Sequence, residues 1–161
     1  MTLLLNRIDD RLIHGQVVVG WGQPMDIRFI VLVNDDVAAS DWEQELYRMG
    51  VPPEMTVYFH DVAGAIAKLP EYRADPRPGI LLTGDIETMR QLVERAGVTE
   101  VNVGGIHSRQ GREPRLRYVF LTPDEEGALR AIASTGANVT AQDVPGAKPV
   151  PLAEMLSGNH T

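Results

Sequence analysis

The sequence predicts an α/β protein built on a mostly parallel sheet with helices packed on both faces. Three observations carry that prediction. Seven short apolar runs are spaced along the chain, and amphipathic segments with recognisable caps lie between them. Several of the runs are near-continuous Val, Ile and Leu, as expected of strands buried on both faces. Strand, helix, strand in repetition requires crossover connections, which give a parallel sheet covered on both sides.

The elements follow in order. Residues 3–8 open with Leu3-Leu4-Leu5 and predict the first strand. Segment 16–22 is ambiguous: Val17-Val18-Val19 favours a strand by propensity, whereas an α/β unit needs a helix there, and we read it as helix. Residues 27–33 and 55–59 predict the second and third strands. Between them Ser40-Asp41-Trp42-Glu43 reads as a capping box, with Gly50 closing that helix. Asp61 caps a short segment that Pro70 is expected to end. Residues 79–83 form the fourth strand, and Asp85 opens a helix through Met89, Leu92 and Val93 to Gly97.

Residues 100–103 and 116–121 predict the fifth and sixth strands. The segment between them, broken by Gly104-Gly105 and Gly111, is too short for a helix, so an antiparallel pairing is expected near that edge. Thr122-Pro123-Asp124-Glu125 starts the next helix with an N-cap hydroxyl, a proline at the first position and an acid at the third. Its apolar face runs through Leu129 and Ile132, and Gly136 ends it. Residues 138–142 form the seventh strand. Residues 145–149 read as a linker and Leu152–Leu156 as a small docking helix, so 145–161 is a linker and C-terminal docking segment of a single domain, 1–161.

Composition narrows the function. At 161 residues the chain is long enough for one substantial core. Hydrophobic residues make up 43% and charged residues 23%, which argues against disorder. A formal charge of −7 disfavours nucleic acid, whose phosphates reward a basic face. The absence of cysteine excludes disulfides, thiol nucleophiles and cysteine metal sites. No apolar stretch reaches the roughly 20 residues of a membrane span, and the start lacks the arrangement of a secretory signal. A cytoplasmic protein is expected. No two histidines show a ligand spacing, so no metal is expected, and the Walker and three-glycine dinucleotide patterns are missing, so no nucleotide cofactor is either.

The chemistry concentrates in Arg7-Ile8-Asp9-Asp10-Arg11-Leu12-Ile13-His14-Gly15-Gln16, at an expected strand-to-helix turn. Such turns at the carboxyl ends of strands are where α/β sheets bind ligands. A lone imidazole there suits phosphoryl transfer, because it can hold a phosphoryl group covalently while arginine and backbone N–H groups hold the oxygens. Arg11 has the planar fork of donors for that task, Gly15 permits close backbone approach and Gln16 offers a neutral donor. Asp9 and Asp10 cannot both face a phosphoryl dianion, since two unit charges ~4 Å apart interact by roughly 4 kcal/mol at an effective dielectric near ~20. At least one is expected to orient Arg11 or Arg7, or to tie the loop by accepting backbone hydrogen bonds. The competing reading is a capped loop with a surface ion pair and an incidental histidine.

The other histidines carry less. His107 follows paired glycines and either lines the cleft beside His14 or is an ordinary loop residue; His60 beside an N-cap reads as local structure, and His160 as chain end. Arg109, Arg112, Arg115 and Arg117 form a basic run, read as a solvated hairpin or, more sharply, as a docking patch for an acidic or phosphorylated partner.

The string from Arg7 to Val17, with Trp21 shortly after, resembles the N-terminal signature of the IIB component of the mannose/fructose/sorbose class of the bacterial phosphoenolpyruvate-dependent sugar phosphotransferase system. Val33-Asn34-Asp35-Asp36-Val37-Ala38, Pro52-Pro53, Asn102-Val103-Gly104-Gly105 and Asp143-Val144-Pro145 follow in the family's order, so the likeness spans the chain. The resemblance implies an open three-layer sheet of seven strands, mostly parallel, with an antiparallel edge strand. It implies that His14 accepts a phosphoryl group, on Nδ1, from a phosphohistidine of a IIA partner and passes it to a sugar imported by membrane IIC and IID subunits. Arg11 would stabilise the group in transit, and Asp10 is a candidate orienting residue. No cofactor is implied; association with the inner membrane face would run through partner subunits, and a homo-oligomer is compatible with the pattern. The alternative is a phosphorylatable regulatory module of the same fold that moves no sugar. The chain departs from the family pattern at Val19, where many members carry threonine, at Leu82-Thr83-Gly84, which lacks a basic residue many have, and at Ile106, which replaces a methionine.

Overall fold

Strand β1 (Leu3–Ile8) lies in the middle of the sheet that organises the molecule. The computed structural model describes residues 3–157. After β1 come β2 (Phe29–Val33), β3 (Thr56–His60), β4 (Gly79–Thr83) and β5 (Glu100–Val103). A hairpin of β6 (Glu113–Leu116) and β7 (Val119–Leu121) stands apart, and β8 (Asn138–Ala141) and β9 (Val150–Pro151) complete the set. The main sheet has seven strands in the order β3-β2-β4-β1-β5-β8-β9, parallel except for the antiparallel pair β8–β9 at one edge. The expected open, mostly parallel sheet with an antiparallel edge is the observed one.

The core sits on both sides of this sheet because the central strands alternate within apolar runs. Phe29, Val31 and Val33 of β2 join one cluster, with Leu69, Met89, Leu92, Leu129 and Ile132 from the helices on that face. Ile30 and Leu32 join the opposite cluster with Leu12, Val17, Val18, Trp21 and Val37. The first face is covered by α3 (Val62–Ala74), α4 (Ile86–Ala96), α5 (Pro123–Ser134) and α6 (Leu152–Leu156). The second is covered by segment Gln16–Gly22 and by α1 (Asp35–Ala38), with Tyr47 of α2 (Asp41–Met49) packed at its margin. The N-caps of α2, α4 and α5 form: Ser40, Asp85 and Thr122 accept from the N–H groups of Glu43, Thr88 and Glu125, and the α5 box is reciprocal, whereas of the box expected at Ser40 only the Ser40 half forms.

Four expectations are corrected. Segment Gln16–Gly22 is helical, but in the wide i→i+5 form, turning Val17, Val18, Trp21 and Gly22 inward together. Pro70 does not end its helix: α3 continues to Ala74. Proline inside a helix costs about 3 kcal/mol, and burying Leu69 and Tyr72 on either side, at roughly 1.5–3 kcal/mol each, offsets it. Residues 116–121 are not one strand. Arg117 and Tyr118 make a two-residue turn between β6 and β7, and an Ile106–Val119 bridge links this hairpin to the segment after β5. The seventh strand of the sheet is instead β9, inside the expected 145–161 linker. Pro151 is tolerated there because an edge strand needs no outward N–H. The turn before β9 is tied by Gln142, whose Nε2 donates to the carbonyls of Pro145 (3.2 Å) and Ala147 (2.7 Å). The expected docking helix α6 forms and buries Met155.

Candidate active site

The chain leaves β1 towards β2 on one side and later crosses from β4 to β5 on the other. The carboxyl end of β1 is therefore the switch point of the sheet, where such folds open a crevice. The loop after β1 is pinned from both neighbours. Asp9 N–H donates to Thr83 O (2.9 Å), and Asp10 N–H donates to Gly105 O (2.8 Å). Leu12 then takes a left-handed conformation at φ 60, rare for a branched residue. Its side chain is buried against Gly84, where a Cβ would lie 2.8 Å from Leu12 Cδ2. The left-handed turn aims the Leu12 carbonyl at His14.

His14 Nδ1 lies 2.7 Å from Leu12 O. A carbonyl oxygen only accepts, so Nδ1 carries a proton in this arrangement. Nε2 is buried with no hydrogen-bond partner and faces Asp9 Oδ2 at 3.8 Å. The side chain keeps 17% of its surface open. Beside it Gly15 has nothing within 4 Å of the point where a Cβ would stand, so approach from that side is free.

Arg11 is 42% exposed on its side chain and reaches Gln16 Oε1 through Nη2 at 2.5 Å, with Nε 3.6 Å from Asp9 Oδ1. Gln16 in turn donates from Nε2 to Asp143 O (3.2 Å) and Asp143 Oδ1 (3.1 Å). Its amide donor is thus committed to Asp143, and its oxygen steadies Arg11. The role open to Gln16 is to position the guanidinium; its own donor faces away from any incoming anion.

Beneath the loop sits a group the sequence reading did not resolve. Asp9 and Arg7 are both fully buried, 3.3 Å apart. Arg7 also donates to Asn102 Oδ1 (2.5 Å), Gln142 O (2.8 Å) and Asp143 O (3.2 Å), and its guanidinium lies 4.7 Å over the Trp21 ring. Burial holds its pKa below the ordinary arginine value, opposed by the Asp9 charge. Asp9 also accepts from Arg11 N–H (3.2 Å). Asp9 therefore meets Arg7, Arg11 and His14 at once. Asp10, the candidate orienting residue, points elsewhere: it accepts from His107 N–H (2.7 Å) and faces His107 Nδ1 at 2.5 Å. One signal for the buried pair was available in the sequence: a charge in a central strand, on the face shared with Leu5, requires a partner two residues on.

The basic run is largely neutralised. Arg112 pairs with Glu125 (2.7 Å), Arg115 with Glu126 (2.5 Å) and Arg117 with Asp143 (3.4 Å). The run thus lies in a hairpin that carries its own counter-charges, which leaves less free charge for a docking patch than four arginines imply. Burial of Glu125 would raise its pKa, but hydrogen bonds from Arg112 and Thr122 hold it below the ordinary carboxylate value. Val19 is exposed on the outer side of its helix, and Thr83 is buried, donating to Asp85 O. His60 is structural, 2.6 Å from the Tyr72 hydroxyl, while His160 lies outside the described residues. Among the described residues no cluster of His, Cys, Asp and Glu fits a metal ion, and no helix is long and apolar enough to cross a membrane. Two surface hollows of about 470 and 520 Å³, beside Pro52 and beside Leu152, contain none of the residues at the β1 end.

Comparison with known proteins places the whole chain and its fold in one family. The family described as the PTS system sorbose subfamily IIB component matches residues 3–161. The chain is 36% identical over 149 residues to the N-acetylgalactosamine-specific phosphotransferase enzyme IIB component 1 of Escherichia coli, covering 89% of this chain and 92% of that protein. It is 33% identical over 146 residues to the mannose-specific EIIAB component of Escherichia coli, covering 89% of this chain and 45% of that longer protein. The crystal structure of the IIBSor domain of the sorbose permease from Klebsiella pneumoniae superposes with a TM-score of 0.88 at 27% identity, covering 99% of each chain. The chain belongs to the sorbose-subfamily IIB components of the phosphotransferase system, a family of phosphotransferases of sugar uptake.

Proposed function

We propose that His14 carries a phosphoryl group between a IIA phosphohistidine and a sugar entering through IIC and IID subunits. The observation that carries this reading is the imidazole at the switch point of the sheet, part open, with the Arg11 guanidinium beside it on an open surface. The open surface suits an acceptor that must meet a donor histidine on another protein and then a membrane permease. The mannose-specific relative, an EIIAB component, supports a IIA source for the phosphate. Action at the inner membrane face, through partner subunits, follows from the same reading.

In the first step a lone pair on the His14 ring attacks phosphorus in line with the donor P–N bond. That bond breaks as the new P–N bond forms, and the electron pair returns to the donor imidazole. Arg11 spreads the charge of the equatorial oxygens, which matters because phosphoryl transfer passes through a loose transition state with charge on those oxygens. For Nδ1 to be the nucleophile, as the family resemblance implies, its proton must leave the Leu12 carbonyl and Nε2 must take one, facing Asp9. In the second step a sugar hydroxyl oxygen attacks the phosphorus, the P–N bond to His14 breaks, and the released imidazole nitrogen takes up the hydroxyl proton. Dividing one transfer into two local ones is the gain of a covalent relay. The test is transfer of labelled phosphate from phosphorylated IIA to wild type and to His14→Ala, repeated with sugar and IIC/IID membranes. Label on wild type alone, discharged by sugar, is expected; a His14→Ala chain that still takes label removes the assignment.

A further inference from the structure

A second imidazole is held at the same surface. The backbone before His107 is fixed by Ile106, which donates to Tyr118 O and accepts from Phe120 N–H, both at 2.9 Å. The backbone after it is fixed by Arg112, whose Nη1 donates to His107 O at 2.8 Å. Asp10 takes the His107 N–H at 2.7 Å and faces Nδ1 at 2.5 Å, while its own N–H is tied to Gly105 O. The His107 side chain is nonetheless 56% exposed. Among the described residues its Nε2 has no hydrogen-bond partner. An exposed side chain held in one orientation has lost its rotamer freedom without gaining burial, which calls for a reason other than packing.

Gly105 says where that ring points. A Cβ on Gly105 would stand 3.4 Å from His107 Cε1, 3.4 Å from Asp9 Oδ1 and 3.6 Å from Arg11 Nη2. The edge of the His107 ring and the Arg11 guanidinium therefore flank one small gap that glycine leaves open. Two nitrogen donors across such a gap can grip two oxygens of one phosphoryl group. The charged groups around His107 are Asp10 on its Nδ1, Arg112 at 4.0 Å from Asp10 with Glu125 behind it, and Asp9 and Arg11 across the gap. The Asp10 carboxylate accepts from Nδ1, so the ring donates from Nε2 when both of its nitrogens carry a proton.

We propose that His107 is a further catalytic residue of the transfer. Oriented by Asp10 through Nδ1, it donates from Nε2 to an oxygen of the phosphoryl group on its way to His14, opposite Arg11. The proposal rests on the reading of His14 as the phosphoryl acceptor. His107 forms no bond to phosphorus and keeps its protons; the only bonds exchanged are the donor P–N bond and the His14 P–N bond. Asp10 is a positioning residue, acting through His107.

The experiment uses the full chain with potassium phosphoramidate as a small phosphoryl donor, followed by intact-protein mass spectrometry at neutral pH and by ³¹P NMR. Wild type, His14→Ala, His107→Ala, His107→Gln and Asp10→Asn are compared. His107→Ala is expected to gain phosphate on His14 about 10- to 100-fold more slowly, with its thermal midpoint unchanged. His107→Gln, which keeps an N–H donor, should recover part of the rate, and Asp10→Asn should fall between. Phosphorylation of His107→Ala at the wild-type rate, with no difference between His107→Ala and His107→Gln, overturns this inference alone. Wild type gaining phosphate somewhere other than His14 overturns the underlying reading, and this inference with it.

Discussion

Asp9 Oδ2 faces His14 Nε2 at 3.8 Å from a carboxylate that solvent does not reach. The same carboxylate holds Arg7 from below, so one buried charge connects the sheet's central strand to the exposed imidazole. Their distance exceeds hydrogen-bond length, so the contact tightens only if the loop moves or Nε2 gains a proton.

Asp9→Asn leaves the Arg7 guanidinium buried without its counter-charge. Removing one partner of a buried ion pair costs about 3–5 kcal/mol, because the remaining charge stays desolvated. A urea denaturation series should show that loss; a midpoint equal to wild type would mean that Asn102 and the backbone carbonyls alone compensate Arg7.

Arg11→Ala removes a half-exposed side chain, so the fold should survive with its far-UV spectrum and thermal midpoint intact. Single-turnover phosphorylation of His14 should slow by about 100-fold or more, the range for deleting one preorganised donor to a charged transition state. Arg11→Lys should restore little, since an ammonium cannot both reach Gln16 and present a second donor in the guanidinium plane. Equal rates for all three proteins would contradict the role.

Gly84→Ala places a methyl 2.8 Å from Leu12 Cδ2. Leu12 is buried, so overpacking of about 1–3 kcal/mol is expected. The Leu12 carbonyl should then leave His14 Nδ1, which changes the imidazole ¹⁵N spectrum. An unaltered His14 spectrum at wild-type stability would show that Leu12 is not held by Gly84.

Burial holds His60 below its ordinary pKa; the Asp61 charge opposes this and Lys68 adds to it. The unfolded chain therefore binds a proton more readily than the native one, and stability falls as pH drops below the unfolded value of about 6.5. The difference in urea midpoint between wild type and His60→Asn should shift in favour of the variant as pH falls from 8 to 5.5. A difference independent of pH would remove His60 as the cause.

Much of the frame was legible because it depends on local rules. β1, β4 and β5 have the bounds their apolar runs predict, and the Thr122 box forms as written, since a hydroxyl three residues before a glutamate satisfies backbone donors wherever the helix lies. The misreadings are long-range in origin. Pro70 sits in a helix because Leu69 and Tyr72 find the core, which no local rule records. Val150–Pro151 became the edge strand because β8 lacked a neighbour, not because its own propensity is high. At the candidate site, residue type and spacing single out His14 and Arg11, which the fold brings to the same carboxylate, Asp9. Which aspartate serves which partner was not, because Asp9 and Asp10 are adjacent and only the bonds of the following loop to Thr83 and Gly105 turn one inward and the other towards His107.

Residues 142–143 are grasped by Arg7, Gln16 and Trp21, all from the first part of the polypeptide, and by Arg117. A ribosome making 5–20 residues per second delivers Asp143 on the order of ten seconds after His14. His14 therefore emerges well before the residues that close its surroundings. A translation product interrupted between the two carries the histidine without the contacts of Arg7, Gln16 and Trp21 to residues 142–143.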